Sequence, residues 1–314
     1  MTGGRSLRNV GDVAADHSTS HIIQSLIANA LIAVCKGVAA VLTGSGAMLA
    51  ETLHSAADCG NQLLLLMGVK RARKAPDASH PLGYGRALYF WSFMVALLLF
   101  SGGGVFSIYE GIHKIMAPEP VTKVLVGLGV LAVSIVIEGA ATLSNIREIN
   151  KRRGDKPFMR YVRETKDSDL IVVFGENGAA TLGLFFAAAA LAIAHLTGDP
   201  RWDGVGSLVI GLVLVGVAVF LAVEVKSLLV GESADPDIEK AAREVIREHA
   251  RLSEVLNIIT VQQGPGEVLV ALKVRLSPGL SGEEVGRAIN DFEVALKAKR
   301  PEVRWLFVEP DVLK

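Results

Sequence analysis

Two polar side chains, His54 and Asp58, stand four residues apart in a stretch that is otherwise apolar enough to cross a membrane. On a helix, this spacing puts both side chains on one face. An imidazole nitrogen and a carboxylate oxygen suit a divalent transition metal, zinc first among them. Ionisable groups at membrane depth are costly, so they usually mark an ion pathway or a proton relay. The pair therefore indicates metal or proton binding inside a membrane-spanning helix.

The same helix face carries further polar residues one turn before and one turn after this pair, namely Glu51, Asn61 and Gln62. The alternative interpretation is a polar seam in which helices hydrogen bond to one another. Ion binding is favoured because no Lys or Arg lies between Lys36 and Lys70 to pair with these acids. Lys36 itself is expected to extend its ammonium toward the membrane interface. Glu138 is interpreted as a salt-bridge or interface residue.

A second polar pair, Glu176-Asn177, lies in the apolar stretch Val172–Gly183. An unpaired carboxylate there would be expensive, so Glu176 is a candidate metal ligand. Asn177 is a candidate ligand too, with an interhelical hydrogen bond as the alternative. Cys59 directly follows Asp58 and so points about 100° away on a helix, which indicates packing.

The composition places the chain among membrane proteins. It has 314 residues, of which 51% are hydrophobic, a mean hydropathy of +0.42 and no net charge. Cys35 and Cys59 both fall in apolar stretches, which excludes a disulfide framework. No basic stripe with interleaved aromatic residues suggests nucleic-acid binding.

Six apolar stretches are each long enough to span a hydrocarbon core, which needs about 20 helical residues. They are Ile22–Leu42, Gly46–Val69, Ala87–Ile115, Val121–Ile146, Leu170–Leu196 and Val205–Val225. Positive charge is concentrated in the loops after the second and fourth stretches, Lys70–Arg86 and Arg147–Lys166. Because cytoplasmic loops carry an excess of Lys and Arg, both termini are predicted to be cytoplasmic.

The last part of the chain reads as a small soluble domain. Asp235-Pro236 opens an amphipathic helix, two strands follow with Gly264-Pro265-Gly266 between them, and Ser281 with Glu284 forms a capping-box start. A last strand, Val303–Val308, completes an αββαβ order typical of a two-layer, ferredoxin-like α+β domain. The predicted organisation is a cytoplasmic N-terminal arm over 1–20, a six-helix transmembrane domain over 21–230 and a cytoplasmic domain over 231–314.

The stretch Ala50–Asn61, followed by Asp77–Arg86 and Tyr89–Ser92, resembles the cation diffusion facilitator family of divalent metal transporters. The resemblance implies a secondary transporter and no enzyme, with His54 and Asp58 as the half of the transport site on the second helix. The family's fifth helix usually supplies His-x-x-x-Asp, where this chain has Val173 and Asn177. Glu176 is then the nearby acid that replaces them, as a Glu-Asp pair does in one branch of the family.

Two other regions depart from the family's pattern. Asp77-x-x-His80 resembles a secondary metal site, but Tyr84 stands where a second His is often found. Asp77 and His80 are therefore weaker metal candidates, and a structural role in the turn is preferred. The C-terminal domain has a single histidine, His249, which favours dimerisation over metal sensing.

The sequence thus predicts a homodimeric, multi-pass protein of the bacterial inner membrane that exports Zn²⁺ by proton antiport. Its partners would be membrane lipid, the metal and protons, without nucleic acid and without a cofactor beyond the transported ion. The alternatives are a preference for Mn, Co, Ni or Fe, or a non-transporting membrane subunit or regulator with an incomplete metal site.

Overall fold

The computed structural model of the protein describes residues 10–165, 168–249 and 251–311. The first nine residues of the predicted N-terminal arm, Lys166 in the second basic loop and the last three residues of the predicted C-terminal domain lie outside this range. The helices in the first part of the chain are α1 (Val10–Thr43), α2 (Gly46–Ala72), α3 (Ala87–Leu98), α4 (Phe106–Met116), α5 (Val124–Arg152), α6 (Phe158–Glu164), α7 (Ser168–Thr197) and α8 (Arg201–Val230). A π-helical segment, Leu99–Val105, joins α3 to α4.

The described residues include four helical stretches that are long and apolar enough to cross a membrane: Ala87–Met116, Val124–Arg152, Leu170–Thr197 and Arg201–Val230. They coincide with the last four predicted spans, so a mostly helical, membrane-capable fold is confirmed. The count of six is not. In the described part of α1, the stretch Asn29–Thr43 is apolar and shorter than these four. α2 is less apolar because it carries the polar face of residues 51–62 and two charged residues in its last turn, Lys70 and Arg71.

Glycines let α4 and the preceding π-helical segment approach α8 closely. Gly104 lies against Gly211, and Gly111 lies against Gly204, and the two glycines on each chain segment are seven positions apart. A Cβ on Gly111 would lie 2.5 Å from the Leu208 backbone nitrogen, and one on Gly211 would lie 2.7 Å from the Ile108 backbone nitrogen. The helices therefore pack backbone against backbone at these two points.

The C-terminal elements are α9 (Pro236–Glu248), β1 (Leu252–Gly264), β2 (Glu267–Leu276), α10 (Gly282–Lys299) and β3 (Val303–Asp311). This is the αββαβ order predicted from the sequence. β2 is the central strand, antiparallel to β1 and parallel to β3. Every second residue of β2 is buried, as expected for a strand with one face on a core.

Local signals start both helices of this domain. Asp235 caps α9 by accepting a hydrogen bond from the Asp237 backbone N–H, with Pro236 in the first turn. Ser281 and Glu284 form the predicted capping box of α10. Phe292 and Leu296 of α10 and Ile238 and Ile246 of α9 are buried in one core with β2. The domain has its own hydrophobic core.

The described residues divide into two compact units. One consists of residues up to 68 together with 91–152 and 172–222, and it contains the candidate ion site. The other combines the C-terminal domain from residue 223 onward with the two basic loop regions, 69–90 and 153–171. The loops that the sequence marks as cytoplasmic thus belong to the same compact unit as the C-terminal sheet.

Candidate metal and proton site

The start of α2 is fixed by side chains from outside the helix. Asp203 of α8 is fully buried, accepts hydrogen bonds from the backbone N–H groups of Gly46 (2.5 Å) and Ala47 (3.4 Å), and also accepts one from the Ser45 hydroxyl. The Ser45 oxygen accepts from the Met48 N–H at 3.1 Å. These contacts satisfy the donors that a helix N-terminus leaves free, and an acid there complements the helix dipole. α2 is thereby anchored at its first turn.

His54 and Asp58 lie together on α2, as their spacing predicts. His54 is completely buried, and its Nε2 lies 3.7 Å from Asp58 Oδ2. That distance is too long for a hydrogen bond. Both ring nitrogens of His54 and Oδ1 of Asp58 are buried without a hydrogen-bond partner among the described residues. Buried polar atoms are normally paired, so these are atoms to which a ligand could bind.

One turn further along α2, Asn61 faces α7. Its side-chain amide donates to Glu176 Oε1 at 2.5 Å, and Asn61 and Glu176 are both buried. Asp58 lies within electrostatic range of this carboxylate. Glu176 therefore lies on the side of α7 that faces the polar face of α2, as its predicted role as a ligand requires. Asn61, which the sequence places on the polar face of α2, thus contributes a direct hydrogen bond to the Glu176 carboxylate.

Asn177 is held by its backbone. Its carbonyl oxygen accepts a hydrogen bond from the Thr142 hydroxyl at 2.9 Å, and Thr142 also bonds Thr181 at 2.7 Å. These contacts tie α5 to α7 next to Glu176. The Asn177 side chain as a metal ligand remains a prediction.

Three of the predicted ligands lie in two adjoining pairs: His54 with Asp58, and Glu176 with the polar-face residue Asn61. Within residues 10–165, 168–249 and 251–311, no three His, Cys, Asp or Glu side chains are close enough together to hold a metal ion. A closed coordination sphere would thus need side-chain movement, since Asn61 occupies Glu176 Oε1. Both cysteines are free, Cys59 half-buried and Cys35 exposed.

Lys36 does not extend to the membrane interface, and that prediction is wrong. Its ammonium is fully buried and donates to Glu51 (3.1 Å) and Ser55 (2.9 Å) of α2 and to Glu138 of α5 (2.7 Å). The interpretation of Glu138 as a salt-bridge residue is confirmed. Glu51 therefore belongs to an ion-pair cluster and not to the free acids of the polar face. This pairing was not predicted from the sequence, because its cation, Lys36, lies on the preceding helix, α1.

In the loop between α2 and α3, Asp77 is the centre of a hydrogen-bonded turn. Its Oδ1 accepts from the backbone N–H groups of Ser79 and His80, and its Oδ2 accepts from Lys74 (2.7 Å) and Tyr84 (2.8 Å). The Lys74 hydrogen bond, followed by those of Ser79 and Tyr84, holds the pKa of Asp77 well below its usual range. These contacts support the structural role preferred for Asp77 and His80; a metal at this turn stays a prediction.

Fold and site together define a multi-pass helical membrane protein with ionisable side chains buried among its helices, the class to which ion transporters belong. The model of the cation efflux transmembrane domain matches residues 22–230, two thirds of the sequence. The chain belongs to the cation efflux, or cation diffusion facilitator, family. This is a family of cation transporters and not of enzymes, and the resemblance drawn from the sequence is confirmed.

Several named proteins are similar to this chain. The proton-coupled zinc antiporter SLC30A9, mitochondrial, of Xenopus laevis is 34% identical over 249 residues, which cover 79% of this chain and 44% of that protein. Metal tolerance protein C4 of Arabidopsis thaliana is 30% identical over 81% of this chain and 56% of its own length. The zinc transporter ZitB of Pectobacterium atrosepticum is 25% identical over 88% and 81%. The chain thus spans about half the length of the first two.

Proposed function

We propose that this chain exports a divalent metal ion, with Zn²⁺ as the cargo, in exchange for protons. The observation that carries the proposal is the buried pair His54–Asp58 on α2 beside the Asn61–Glu176 bond to α7. Two of the similar proteins are named as zinc transporters, and one of these as proton-coupled. One nitrogen and two or three oxygens suit zinc, and a larger share of oxygen shifts the preference toward harder ions.

The donor atoms are ones for which metal and protons compete. A metal ion needs a neutral imidazole and ionised carboxylates, so loading the site releases protons and protonation expels the metal. His54 would supply the nitrogen and Asp58 a carboxylate oxygen. Glu176 would supply a second carboxylate once Asn61 releases its Oε1, and Asn177 a neutral oxygen. Exchange of the Asn61–Glu176 bond for a metal contact would then accompany cargo binding.

The membrane potential opposes export of a divalent cation, and entering protons offset that cost. Moving a divalent cation out against an interior-negative potential costs about 4.6 kcal/mol per 100 mV, at about 2.3 kcal/mol per charge. Each entering proton returns about 2.3 kcal/mol at the same potential, before any pH gradient is counted. One proton per metal would leave an adverse electrical term.

The wider organisation belongs to the same proposal. Six spans with both termini in the cytoplasm fit the loop charges, with α1 and the more polar α2 as the first two spans. Residues 21–230 would form the transport domain and 231–314 a cytoplasmic domain through which two copies associate. The proposed location is the bacterial inner membrane.

The test is uptake of Zn²⁺, Mn²⁺, Co²⁺, Ni²⁺ and Fe²⁺ into proteoliposomes under an imposed pH gradient, with proton release recorded in parallel. We expect zinc-driven proton release in the wild type and its loss, by at least tenfold, in His54→Ala, Asp58→Ala and Glu176→Ala. Asn177→Asp should change which metal is transported fastest. Transport by Glu176→Ala at the wild-type rate would contradict the assignment of Glu176 as a ligand. Absence of transport in the wild type as well as in the variants would favour the alternative of a non-transporting subunit.

A further inference from the structure

Lys36, Glu51, Ser55 and Glu138 form a cluster that we call the lysine cluster. It joins three helices, since Lys36 lies on α1, Glu51 and Ser55 on α2 and Glu138 on α5. The side chains of Lys36 and Glu51 are completely buried, and that of Glu138 is 15% exposed. Burying this many charges is costly even when they are paired, and replacing them by apolar residues is often neutral or stabilising. Packing of the three helices alone therefore does not account for the cluster.

The pairing also leaves oxygen atoms unused. Glu51 Oε1 and Glu138 Oε2 are buried without a hydrogen-bond partner among the described residues. Glu51 Oε1 points to Gly183 of α7, where a Cβ would overlap it. The cluster thus reaches the helix that carries Glu176. One cation faces two carboxylates, so the formal charge of the cluster is −1 when both are ionised.

This charge lies beside the candidate metal ligands. Glu51 stands one helical turn before His54 on the same face of α2, and Ser55 directly follows His54. The charges of Lys36 and Glu138 act on both His54 and Asp58, and that of Glu51 acts on His54. In a poorly hydrated interior, such interactions are weakly screened.

We propose that the lysine cluster determines how tightly the His54–Asp58 site holds its divalent cation, with Lys36 as a fixed positive charge that keeps the affinity low enough for release. This inference rests on the proposed function and names further residues for it. Lys36, Glu51 and Glu138 act on the cargo through their charges and are not metal ligands. Ser55 and the ion pairs hold the three charges in place.

The proposal predicts opposite effects from the two signs of charge. Lys36→Met removes the cation and makes the cluster's formal charge more negative, at −2. It should lower the KM for zinc by about fivefold or more, with a lower maximal rate because release slows. Glu51→Gln and Glu138→Gln each bring the charge to zero and should raise the KM by a similar factor. A purely structural cluster would lower the maximal rate in all three variants and would not move KM in opposite directions.

Two further variants separate charge from folding. Lys36→Met/Glu51→Gln removes one charge of each sign and keeps the total at −1, so its KM should return to within about twofold of the wild type. Lys36→Arg keeps the cation and should behave likewise. If Lys36→Met fails to fold, the comparison of Glu51→Gln and Glu138→Gln with the double variant still tests the proposal.

The measurements are zinc transport by the full chain in proteoliposomes and zinc binding to the purified full chain by calorimetry, with the binding that persists in His54→Ala subtracted. Shifts of KM in one direction, or none beyond twofold, would overturn the proposal for the lysine cluster while transport still required His54 and Asp58. Normal transport by His54→Ala and Asp58→Ala would instead overturn the proposed function itself.

Discussion

Asp203 shows how a single side chain can position a site that it does not touch. Its buried carboxylate accepts hydrogen bonds from two N–H groups at the start of α2, and Ser45 accepts from a third. These donors would otherwise be buried without partners, at about 1–3 kcal/mol for each group. Since His54 lies two turns further along the same helix, the direction of α2 at its first turn sets where the imidazole lies.

Replacing Asp203 with Ala should therefore destabilise the protein by about 1–3 kcal/mol, because the first turn of α2 loses its acceptors. Asp203→Asn is the matched control, since it keeps the size and one acceptor oxygen but loses the charge, and its effect should be smaller. Thermal unfolding of the detergent-solubilised protein measures both. An equal loss in the two variants would mean that the single acceptor oxygen kept by asparagine is not enough to hold the helix start.

At the scale of residues, a contact can be predicted from the sequence when both interacting residues lie on the same helix. His54, Asp58 and Asn61 could be placed on one face because helix periodicity fixes the relation of neighbours within a helix. The pairing of Lys36 with Glu138 joins residues 102 positions apart on different helices. No local sequence pattern indicates this pairing, so Lys36, near the end of its helix, was predicted to reach the membrane interface. The same holds for Asp203 and Ser45, which are 158 positions apart.

At the scale of helices, glycine position decides how closely two elements pack. Gly211 and Gly216 both lie on α8, five residues apart, yet their surroundings differ. A Cβ on Gly211 would lie 2.7 Å from the Ile108 backbone nitrogen and 2.9 Å from the Gly104 carbonyl oxygen. A Cβ on Gly216 would meet no atom within 4 Å among those described. Backbone atoms cannot turn aside as a flexible side chain can, so only the first glycine is sterically required.

Gly211→Ala should thus destabilise the protein by about 1–3 kcal/mol through overpacking against the π-helical segment and α4. Gly216→Ala on the same helix should be neutral or stabilising by up to about 1 kcal/mol, because alanine favours the helix. Thermal unfolding in detergent, read by size-exclusion chromatography after heating, compares the two. Equal stability of both variants would show that α8 can move away from its neighbour without loss.

The elements themselves were predicted with uneven success, for physical reasons. Strand alternation and the capping motifs of the C-terminal domain are local signals, and its αββαβ order was predicted correctly. The break of the third span into α3, a π-helical segment and α4 was not predicted. Its run Ser101-Gly102-Gly103-Gly104 is compatible with several helical forms, and close packing against α8 is a tertiary contact that the sequence does not display. The short helix α6 in the second basic loop was missed as well.

For the whole molecule, the distribution of charge predicts the orientation in the membrane. Five Lys or Arg residues lie in Lys70–Arg86 and eight in Arg147–Lys166, against three on the predicted opposite side, at Lys114, Lys123 and Arg201. This bias predicts that the loop between α2 and α3 is cytoplasmic and that the turn between α7 and α8 lies on the other side. Loop charge and the parity of the spans agree if α1 and α2 both cross the membrane, and they agree equally if neither does. The six-span arrangement therefore stays a prediction.

Cysteine labelling tests the predicted crossings between the loop after α2 and the end of α7, and the chain has only Cys35 and Cys59 to remove. In a Cys35→Ala/Cys59→Ala background, Ser79→Cys probes the loop after α2 and Thr197→Cys the end of α7, and both native residues are exposed. With a membrane-impermeant maleimide, Thr197→Cys should react in intact cells and Ser79→Cys only in inverted vesicles. Zinc transport by the cysteine-free protein is the control for folding. If both positions react from the same side, at least one predicted crossing between them is missing and the six-span arrangement is wrong.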